Sequence, residues 1–270
     1  MRLSTSKVKC YKGCRRLYYF KYIEELESVQ EAQALTDGKT YHSKIESLYN
    51  SGWFEIDIEN LKITAMAMAY EKYIYPQFKC HKAEEWFDIT LNKRKKHNLV
   101  GRFDAIADDG CVVEHKTTSN DVDDAYIYNL RLDEQILNYM IASGKNRMYY
   151  TVCKKPTIRQ RQNETPEQFL ERCIAWYEED TENKIRVISV TRNEKEIDEQ
   201  KVTLCFIADE MRKTEKLCRE ADTEQMKKVC MYRNPAYCQQ YGRTCEFAGI
   251  CLDYDPKLEY IEFRKKEKEN

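Results

Sequence analysis

The segment that most constrains the fold covers residues 100–119 and reads VGRFDAIADDGCVVEHKTTS. Two apolar-rich runs, residues 99–107 and 111–117, are separated by an Asp-Asp-Gly cluster at 108–110. An Asp/Gly cluster between two such runs is typical of a β-hairpin. The sequence therefore predicts two adjacent antiparallel strands joined by a short loop.

The register of this hairpin decides whether acidic side chains meet. Side chains alternate between the faces of a strand, so a three-residue loop at 108–110 sets Asp104 opposite Glu114 on one face. Two carboxylates about 5 Å apart repel each other, and a hard divalent cation between them removes the repulsion. Lys116 shares that face and could orient or deprotonate a water beside the ion. A two-residue loop would instead set Asp104 against His115.

Composition narrows the class of protein. Of 270 residues, 42% are hydrophobic and 34% are charged, which is ordinary for a globular protein with a substantial core. The net charge of −1 provides no global basic field, so any nucleic-acid site must be a local patch. No apolar run approaches the about 20 residues of a membrane span, and the N-terminus lacks the apolar core of a signal peptide. We therefore expect a cytoplasmic protein with no membrane partner. Disulfides rarely persist in the cytoplasm, so the twelve cysteines need another explanation.

Periodicity and turn residues predict helices before and after a sheet. The predicted helices are residues 14–27, 35–51, 61–77, 121–143, 163–180 and 193–219. The predicted strands are residues 85–92, the two hairpin runs, 147–153 and 184–191. This order indicates an α/β sheet with helical flanks, and the absence of a linker or repeat favours a single domain over residues 1–270.

The C-terminal cysteines need a separate explanation. They are Cys230, Cys238, Cys245 and Cys251. Their irregular spacing contains no C-x-x-C, so a zinc ribbon fits poorly. Independent buried cysteines remain one alternative, and a metal or cluster site is the other. An iron–sulfur cluster takes four thiolates, three of which could be the last three cysteines. The fourth would be Cys230, Cys14 or Cys10.

Five motifs follow one another along the chain: Cys14 followed by R-R-L-Y-Y-F-K-Y, Gly38-Lys39-Thr40-Tyr41-His42 with Glu46, Gly101-Arg102-Phe103-Asp104, Glu114-His115-Lys116 and Gln135-Ile136-Leu137-Asn138-Tyr139. In this order, and followed by the last three cysteines, they resemble the PD-(D/E)XK nuclease superfamily, specifically its RecB-like branch with an iron–sulfur cluster. That branch includes AddB-type nucleases, CRISPR-adaptation exonucleases and many phage proteins, and the resemblance covers about residues 14–251. Arg15 replaces the proline that usually follows the first cysteine of the branch.

The resemblance implies a restriction-endonuclease-like mixed central sheet with flanking helices. It also implies that residues 1–30 and 225–255 form an iron–sulfur subdomain that joins the two ends of the chain. The expected ligands of a [4Fe-4S] cluster are Cys14, Cys238, Cys245 and Cys251, with Cys14 favoured over Cys10 and Cys230 because the residues after it match the branch.

The same resemblance implies a divalent-metal site. The expected ligands of Mg²⁺ or Mn²⁺ are His42, Asp104, Glu114 and, through its backbone carbonyl, His115. Lys116 is expected to position the attacking hydroxide, and Gln135 and Tyr139 to hold the lysine or the DNA strand. An imidazole ligand biases such a site toward Mn²⁺ over Mg²⁺.

The predicted function is that of a metal-dependent DNA nuclease, a single-stranded DNA exonuclease acting in replication, recombination or repair. A helicase or recombination protein is a candidate partner, because a near-neutral chain has little charge of its own to hold a strand. Two alternatives remain open at this point. One is a non-catalytic DNA-binding or assembly module on the same fold, and the other is a nuclease acting on RNA or structured junctions.

Overall fold

The computed structural model describes residues 1–29, 32–77, 80–240, 243–252 and 263–266. The chain divides into two compact units. The first unit contains residues 1–32, 90–99 and 202–270, and the second contains residues 33–89 and 100–201. Part of the expected cysteine subdomain, residues 241–242 and 253–255, lies outside the described residues.

The described part of the chain contains eight strands and eleven α-helices. The strands are β1 (Arg2–Leu3), β2 (Leu26–Ser28), β3 (Cys80–Asn92), β4 (His97–Ala107), β5 (Val112–Thr118), β6 (Arg147–Lys154), β7 (Ile185–Thr191) and β8 (Phe263–Lys265). The α-helices are α1 (Thr5–Gly13), α2 (Arg15–Tyr18), α3 (Gln33–Ser51), α4 (Leu61–Tyr73), α5 (Asp124–Asn129), α6 (Glu134–Ser143), α7 (Pro166–Glu179), α8 (Thr181–Lys184), α9 (Glu194–Arg219), α10 (Glu224–Cys230) and α11 (Ala248–Cys251). None of these described helices is both long enough and apolar enough to cross a bilayer.

A mixed sheet organises the second unit. β5 is antiparallel to β4 and parallel to β6, β6 is antiparallel to β7, and β3 pairs with β4 on its other edge. The hairpin has a three-residue loop rather than the two-residue alternative, since the amide of Ala107 donates to the carbonyl of Cys111 at 2.9 Å. Gly110 adopts φ of 76° in this loop, a conformation that glycine reaches without strain. The predicted mixed α/β sheet with flanking helices is therefore confirmed.

Two apolar layers cover the faces of this sheet. On one face, α3, α4 and α7 form a cluster that includes Ile45, Met66 and Tyr177. On the other face, α6 packs Ile136 and Met140 against residues of β5 and β6. Burying a large apolar side chain contributes about 1.5–3 kcal/mol, so these two layers hold the strands in fixed positions.

The first unit brings the two ends of the chain together. The guanidinium of Arg16 donates to the carbonyl of Met231 at 2.7 Å, and the side chain of Asn234 donates to the carbonyl of Gly13 at 2.9 Å. The rings of Phe20 and Phe247 stack with centroids 5.3 Å apart. Two short strands close the unit, with β2 antiparallel to β8. N- and C-terminal segments thus share one packed unit.

Two predicted helices differ from the structure. The helix expected over residues 14–27 starts as α2 at Arg15, directly after the extended backbone of Cys14 (φ −154°, ψ 114°), and continues as a π-helical turn at Tyr19–Ile23, but its expected end lies in strand β2. The helix expected over residues 121–143 is broken at Asp133, whose carboxylate accepts from the amide of Gln135 at 2.9 Å and starts α6 as a new helix. Asp and other short polar residues compete with the helix ladder through such local bonds, which periodicity alone does not show. Gly144 ends α6 in the left-handed region, as the sequence predicted.

Candidate metal site

Asp104 of β4 and Glu114 of β5 lie beside each other in the second unit. The pairs Ala105↔Val113 and Ile106↔Val112 fix the hairpin in the register that sets Asp104 opposite Glu114. One oxygen of the Asp104 carboxylate accepts from the backbone amide of His115 at 2.8 Å. The hairpin thereby fixes one carboxylate against the neighbouring strand, next to a second carboxylate that is only 2% exposed.

Helix α3 brings an imidazole to the same point. His42 Nδ1 lies 3.4 Å from Asp104 Oδ1, and α3 packs against β5. The helix is held there by Tyr41, Ile45 and Leu48, which are buried in the apolar cluster that α3 shares with α4. His42 therefore occupies the position beside Asp104 that the sequence predicted for a metal ligand.

Glu84 of β3 completes the group, and the sequence did not predict it. His42, Glu84 and Asp104 each offer a ligand atom, and these atoms lie within 4.8 Å of one another. Among the described residues they form the one set of three His, Cys, Asp or Glu ligands with that spacing. Glu84 has φ of 56° and forms an ion pair with Arg102. The predicted strand began at residue 85, so the only available signal was an acidic residue just before it.

A hydrogen-bonded network connects the acids to a lysine. Lys116 donates to both Glu114 and Gln135, the latter at 3.1 Å. The Gln135 amide donates to Glu114 Oε1 at 2.8 Å and to the Tyr139 hydroxyl at 2.9 Å. The Tyr139 hydroxyl donates to the backbone carbonyl of Arg102 at 3.0 Å. Residues 135 and 139 therefore lie one helical turn apart on α6 and fix the lysine beside the acids.

Burial and neighbouring charges shift the pKa values of Glu114 and Asp104 in opposite directions. Burial raises the pKa of Glu114 to about 8, and the neighbouring Asp104 carboxylate adds to that increase. Burial also acts to raise the pKa of Asp104, but the hydrogen bond from His42 holds that pKa well below its usual range. Burial opposes ionisation of His42, whereas the hydrogen bond to Asp104 raises the pKa of its imidazole. The Asp104 carboxylate and burial thus disfavour a second negative charge on Glu114, and a bound cation would remove that penalty.

Two further observations fit a cation at this point. The Oε2 atom of Glu114 is buried and has no hydrogen-bond partner, although a buried carboxylate oxygen ordinarily has one. Burial raises the pKa of Glu84 while its partner Arg102 lowers it, and Asp104 and Glu46 raise it further. Carboxylate oxygens are the ligands that Mg²⁺ and Mn²⁺ prefer, and imidazole suits Mn²⁺ less strongly than zinc or copper. The donor set present therefore fits a hard divalent ion.

The side chain of His115 is hydrogen-bonded away from the acids. Its Nδ1 is 2.8 Å from Thr151 Oγ1, and its ring packs edge-on against Tyr70 with centroids 5.2 Å apart. Burial lowers the pKa of His115 to about 4, so the ring is neutral in this apolar setting. Its backbone amide donates to the Asp104 carboxylate, and its ring lies edge-on to the ring of His42 with centroids 6.1 Å apart. The predicted role of the His115 carbonyl as a ligand stays a prediction.

Four cysteines of the first unit lie near one another. Burial raises the pKa of Cys251, and the nearby thiols of Cys14 and Cys238 add to the increase. Burial likewise raises the pKa of Cys245, again with contributions from Cys14 and Cys238. The amide of Asn234 donates to Cys14 Sγ at 3.3 Å. The predicted ligands Cys14, Cys238, Cys245 and Cys251 thus belong to one neighbourhood.

The two alternative fourth ligands differ in position. Burial raises the pKa of Cys10 to about 12, with smaller effects from Cys14 and Cys245, so this thiol borders the same neighbourhood. Cys230 instead lies near Cys218. Burial raises the pKa of Cys218, and the Cys230 thiol adds to that increase. Among the described residues, no three cysteine sulfurs lie within 4.8 Å of one another. Four thiolates on one zinc ion, with Zn–S of about 2.3 Å, would be about 3.8 Å apart by tetrahedral geometry.

Comparisons with known proteins give similarities at low identity. No family model matches this chain, and no curated protein matches it. The solved structure of SSO0001 is 13% identical with a TM-score of 0.43, covering 83% of this chain and 78% of that chain. A phage-related exonuclease from Haemophilus somnus 129PT is 12% identical with a TM-score of 0.35, covering 66% of this chain and 86% of that chain.

A third solved structure is the alkaline exonuclease LHK-Exo from Laribacter hongkongensis. It is 11% identical with a TM-score of 0.31, covering 80% of this chain and 94% of that chain. At TM-scores below 0.5, these similarities carry no argument about what the chain does.

Proposed function

We propose that this protein is a divalent-metal-dependent nuclease that hydrolyses phosphodiester bonds of DNA. The observation that carries the proposal is the convergence of two carboxylates and an imidazole, from β3, β4 and α3, within 4.8 Å. Beside them lie a buried carboxylate with an unsatisfied oxygen and a lysine bonded to it. Phosphodiester hydrolysis needs an activated water, compensation of charge on the phosphate and help for the leaving oxygen. This set of residues can meet those needs together.

The proposed ligands are His42, Glu84, Asp104 and Glu114, with the carbonyl of His115 as a further candidate. A divalent ion held by these residues would supply an acidified water and would polarise the phosphate. The protein residues hold its ligands rigidly. The His115 amide fixes the Asp104 carboxylate, and the amide of Gln135 fixes that of Glu114. Second-shell bonds of this kind commonly govern both affinity and activity at metal sites.

Lys116 is the proposed catalytic cation. Its ammonium lies against Glu114 and Gln135. Burial acts to lower the pKa of this lysine, but the Glu114 carboxylate raises it above its ordinary value. The lysine is therefore charged at neutral pH. A charged donor fixed in this position can orient the attacking hydroxide and offset charge that develops on the phosphate. Gln135 and Tyr139 act as positioning residues because they contact Lys116 and Arg102 rather than the reacting atoms.

The finer proposal is a single-stranded DNA exonuclease that carries a [4Fe-4S] cluster in its first unit. The neighbourhood of Cys14, Cys238, Cys245 and Cys251 supports the four-thiolate set. No three cysteine sulfurs in the described part of the chain come within 4.8 Å of one another, as three ligands of one zinc ion would, and this supports a larger group. The cluster would clip residues more than 200 positions apart, and such a clip contributes a few kcal/mol (~3–5) by closing a long loop.

The central experiment measures cleavage of labelled oligonucleotides by the purified protein with Mn²⁺, with Mg²⁺ and with chelator. We expect metal-dependent cleavage that falls at least about 1,000-fold in Asp104→Asn and Lys116→Ala, because each removes a group that acts in the transition state. Asp108→Asn and Lys145→Ala are matched controls, since both residues are exposed near the same hairpin. Full cleavage by either site variant, or equal cleavage in chelator, would refute the proposal.

The choice of substrate tests the finer proposal. Single-stranded DNA, blunt duplex DNA, circular single-stranded DNA and RNA of matched sequence are compared under the same conditions. A single-strand exonuclease cleaves the linear strand and spares the circle. Cleavage of the circle would indicate endonuclease action, and preference for RNA would replace the proposed substrate.

A further inference from the structure

Trp86 is a large aromatic side chain on the outside of the second unit. Its residue is 70% exposed, among the most exposed of the large hydrophobic residues. The neighbouring Phe87 points inward, where its ring stacks on Phe103 with centroids 4.5 Å apart. Because successive side chains on a strand point to opposite faces, the inward packing of Phe87 directs Trp86 away from the core. The exposure of Trp86 is therefore fixed by the packing of its neighbour.

Gly101 explains why Phe87 can pack inward so closely. A Cβ atom at position 101 would lie 2.6 Å from the Phe87 ring, which is closer than real contacts allow. The glycine leaves room for this ring across the strand pair β3–β4. The same ring also packs edge-on against Tyr139, at a centroid distance of 6.0 Å. The strand that carries Trp86 is thus anchored against the residue that positions the candidate site.

A cation connects Trp86 to the acids. The guanidinium of Arg102 lies over the Trp86 ring, 5.4 Å from its centroid, and forms an ion pair with Glu84. The Arg102 side chain is 50% exposed. Glu84 in turn lies in the group with His42 and Asp104. One half-exposed guanidinium therefore separates an exposed aromatic face from the candidate metal site.

Glu84 and Trp86 are two residues apart on β3, and Arg102 and Asp104 are two residues apart on β4. Each of the two strands thus supplies one acid to the metal group and one side chain to the aromatic-cation pair. An unpaired nucleotide presents the matching chemistry, which is a flat base with a phosphate attached. Aromatic rings stack on any base, and arginine adds cation–π and phosphate contacts.

We propose that Trp86 and Arg102 form a stacking platform that holds an unpaired base of single-stranded DNA and directs the adjoining phosphodiester toward the acids. The proposal rests on the proposed nuclease function and adds a substrate-binding site to it. Paired bases in a duplex have no free face for the ring, so the platform selects unpaired nucleotides. Charge favours single-stranded DNA as the occupant. In the described contacts, the Arg102 guanidinium is the one cation that touches both the Trp86 ring and an acid of the metal group, and a phosphate is its natural partner.

The test is binding of a fluorescent oligo-dT to the full chain, measured by anisotropy in Ca²⁺ and in chelator, so that binding is read without cleavage. Base stacking on an aromatic residue is worth about 1–3 kcal/mol, so Trp86→Ala should weaken binding at least about 5-fold. Trp86→Phe retains a ring and should restore most of the affinity. Trp53→Ala is the matched control, because Trp53 is 64% exposed in the same unit.

Arg102→Gln has a distinct signature. Loss of one phosphate contact should lower the slope of log affinity against log salt by about 0.7 for a single strand. Arg102→Lys should keep the slope. Because Arg102 also contacts Glu84, the salt slope of binding is the informative measurement for this residue rather than the cleavage rate.

Several results would overturn the platform. They are unchanged binding by Trp86→Ala, an equal loss in Trp53→Ala, an equal loss of affinity for blunt duplex, or no binding of oligo-dT by the wild-type chain in either condition. Failure of the nuclease proposal looks different, since the wild-type chain would then bind the strand through Trp86 and cleave it with neither Mg²⁺ nor Mn²⁺. A cleaving enzyme whose Trp86→Ala variant binds normally would refute the platform alone.

Discussion

The candidate metal site and the cysteine neighbourhood differ in how their side chains are held. In the second unit, Asp104 and Glu114 come from long paired strands and are fixed by hydrogen bonds from His115 and Gln135. In the first unit, Cys14 lies in a break between two helices, and Cys251 ends a four-residue helix. Short helices are marginal by themselves, so their geometry depends on what they pack against or bind.

This difference indicates two roles for bound groups. The acids are already placed within ligand distance by the sheet and by α3, so a metal there would add chemistry more than structure. The cysteines are gathered but more widely spaced, so a bound cluster would add structure. Coordination couples to folding where the apo site is not preformed. The predictions below test this contrast, beginning with the largest effect.

Loss of a cluster ligand should affect stability far more than loss of the divalent metal. We expect Cys14→Ser to lose iron, to lose visible absorbance near about 400 nm and to lower the free energy of unfolding by about 3–5 kcal/mol through lost loop closure. Chelation of the divalent metal should abolish cleavage with little change in the thermal midpoint. Iron content, absorbance and thermal unfolding of anaerobically purified protein are the measurements.

The other cysteines serve as controls for that experiment. Cys230→Ser should retain iron, because Cys230 lies near Cys218, which is not one of the four proposed ligands. Cys10→Ser tests the remaining alternative, in which Cys10 and not Cys14 is the fourth ligand. If Cys10→Ser loses iron while Cys14→Ser keeps it, the fourth ligand has been assigned to the wrong residue. A colourless, active wild-type protein with stoichiometric zinc would exclude the cluster.

Gln135→Leu should lower activity or metal affinity about 10–100-fold, as loss of second-shell partners commonly does. The leucine removes the bonds to both Glu114 and Lys116 while the fold is retained. Tyr139→Phe should have a smaller effect, since Gln135 keeps those two bonds. We would measure kcat, KM and Mn²⁺ affinity, with the exposed Gln160→Leu as control. Wild-type values in Gln135→Leu would mean that the network does not position the site.

Two glycine substitutions test the packing of each unit separately. A Cβ at Gly13 would lie 2.4 Å from the Tyr237 ring, and one at Gly101 would lie 2.6 Å from the Phe87 ring. We expect each alanine variant to lose about 1–3 kcal/mol of unfolding free energy through overpacking. Gly13→Ala should also lower iron content, whereas Gly101→Ala should lower oligonucleotide cleavage.

Alanine at an open glycine is the control in each unit. Gly249 and Gly38 both lie in helices with nothing within 4 Å of an added Cβ. Gly38→Ala should stabilise α3 by about 0.5–1 kcal/mol, and Gly249→Ala should be neutral or mildly stabilising. Chemical denaturation of all four variants gives the comparison. Equal stability of Gly13→Ala and Gly249→Ala would contradict the packing seen around Tyr237.

Acid should lower the stability of both units, by a smaller amount than the glycine substitutions do. The bond from Arg172 lowers the pKa of Glu164 to about 2, and the bond from Lys95, with that from His97, lowers the pKa of Asp209 to about 2. Because these values lie below the unfolded pKa of about 4, both carboxylates stabilise the fold above about pH 4. That stability is lost as pH falls toward 2.

Glu164→Gln and Asp209→Asn should therefore each flatten the pH dependence of the thermal midpoint between about pH 4 and pH 2. Glu182→Gln, at an exposed position of the second unit, is the control. The two variants report on different units, since Glu164 belongs to the second and Asp209 to the first. An unchanged acid dependence in either variant would show that its ion pair is too exposed to matter.

Local sequence patterns predicted most of the elements because their signals are short-range. The Asp-Asp-Gly cluster predicted the hairpin and Gly144 predicted the end of α6, whereas the structure decided that the hairpin loop has three residues. The break at Asp133 and the strand that begins at Leu26 were missed. Asp133 leaves the helical conformation with a side-chain cap that apolar periodicity does not reveal.

The sequence by itself determined the hairpin, the alternation that puts Asp104, Glu114 and Lys116 on one face, and the spacing of Gln135 and Tyr139 on one helix. Only the tertiary structure decided that Glu84 joins His42 and Asp104, that the His115 ring turns to Tyr70, and that Arg102 bridges Trp86 to the acids. Periodicities of 2 and 3.6 assign residues to faces within one element. Contacts between elements depend on how β3, β4 and α3 pack, and no local repeat encodes that packing.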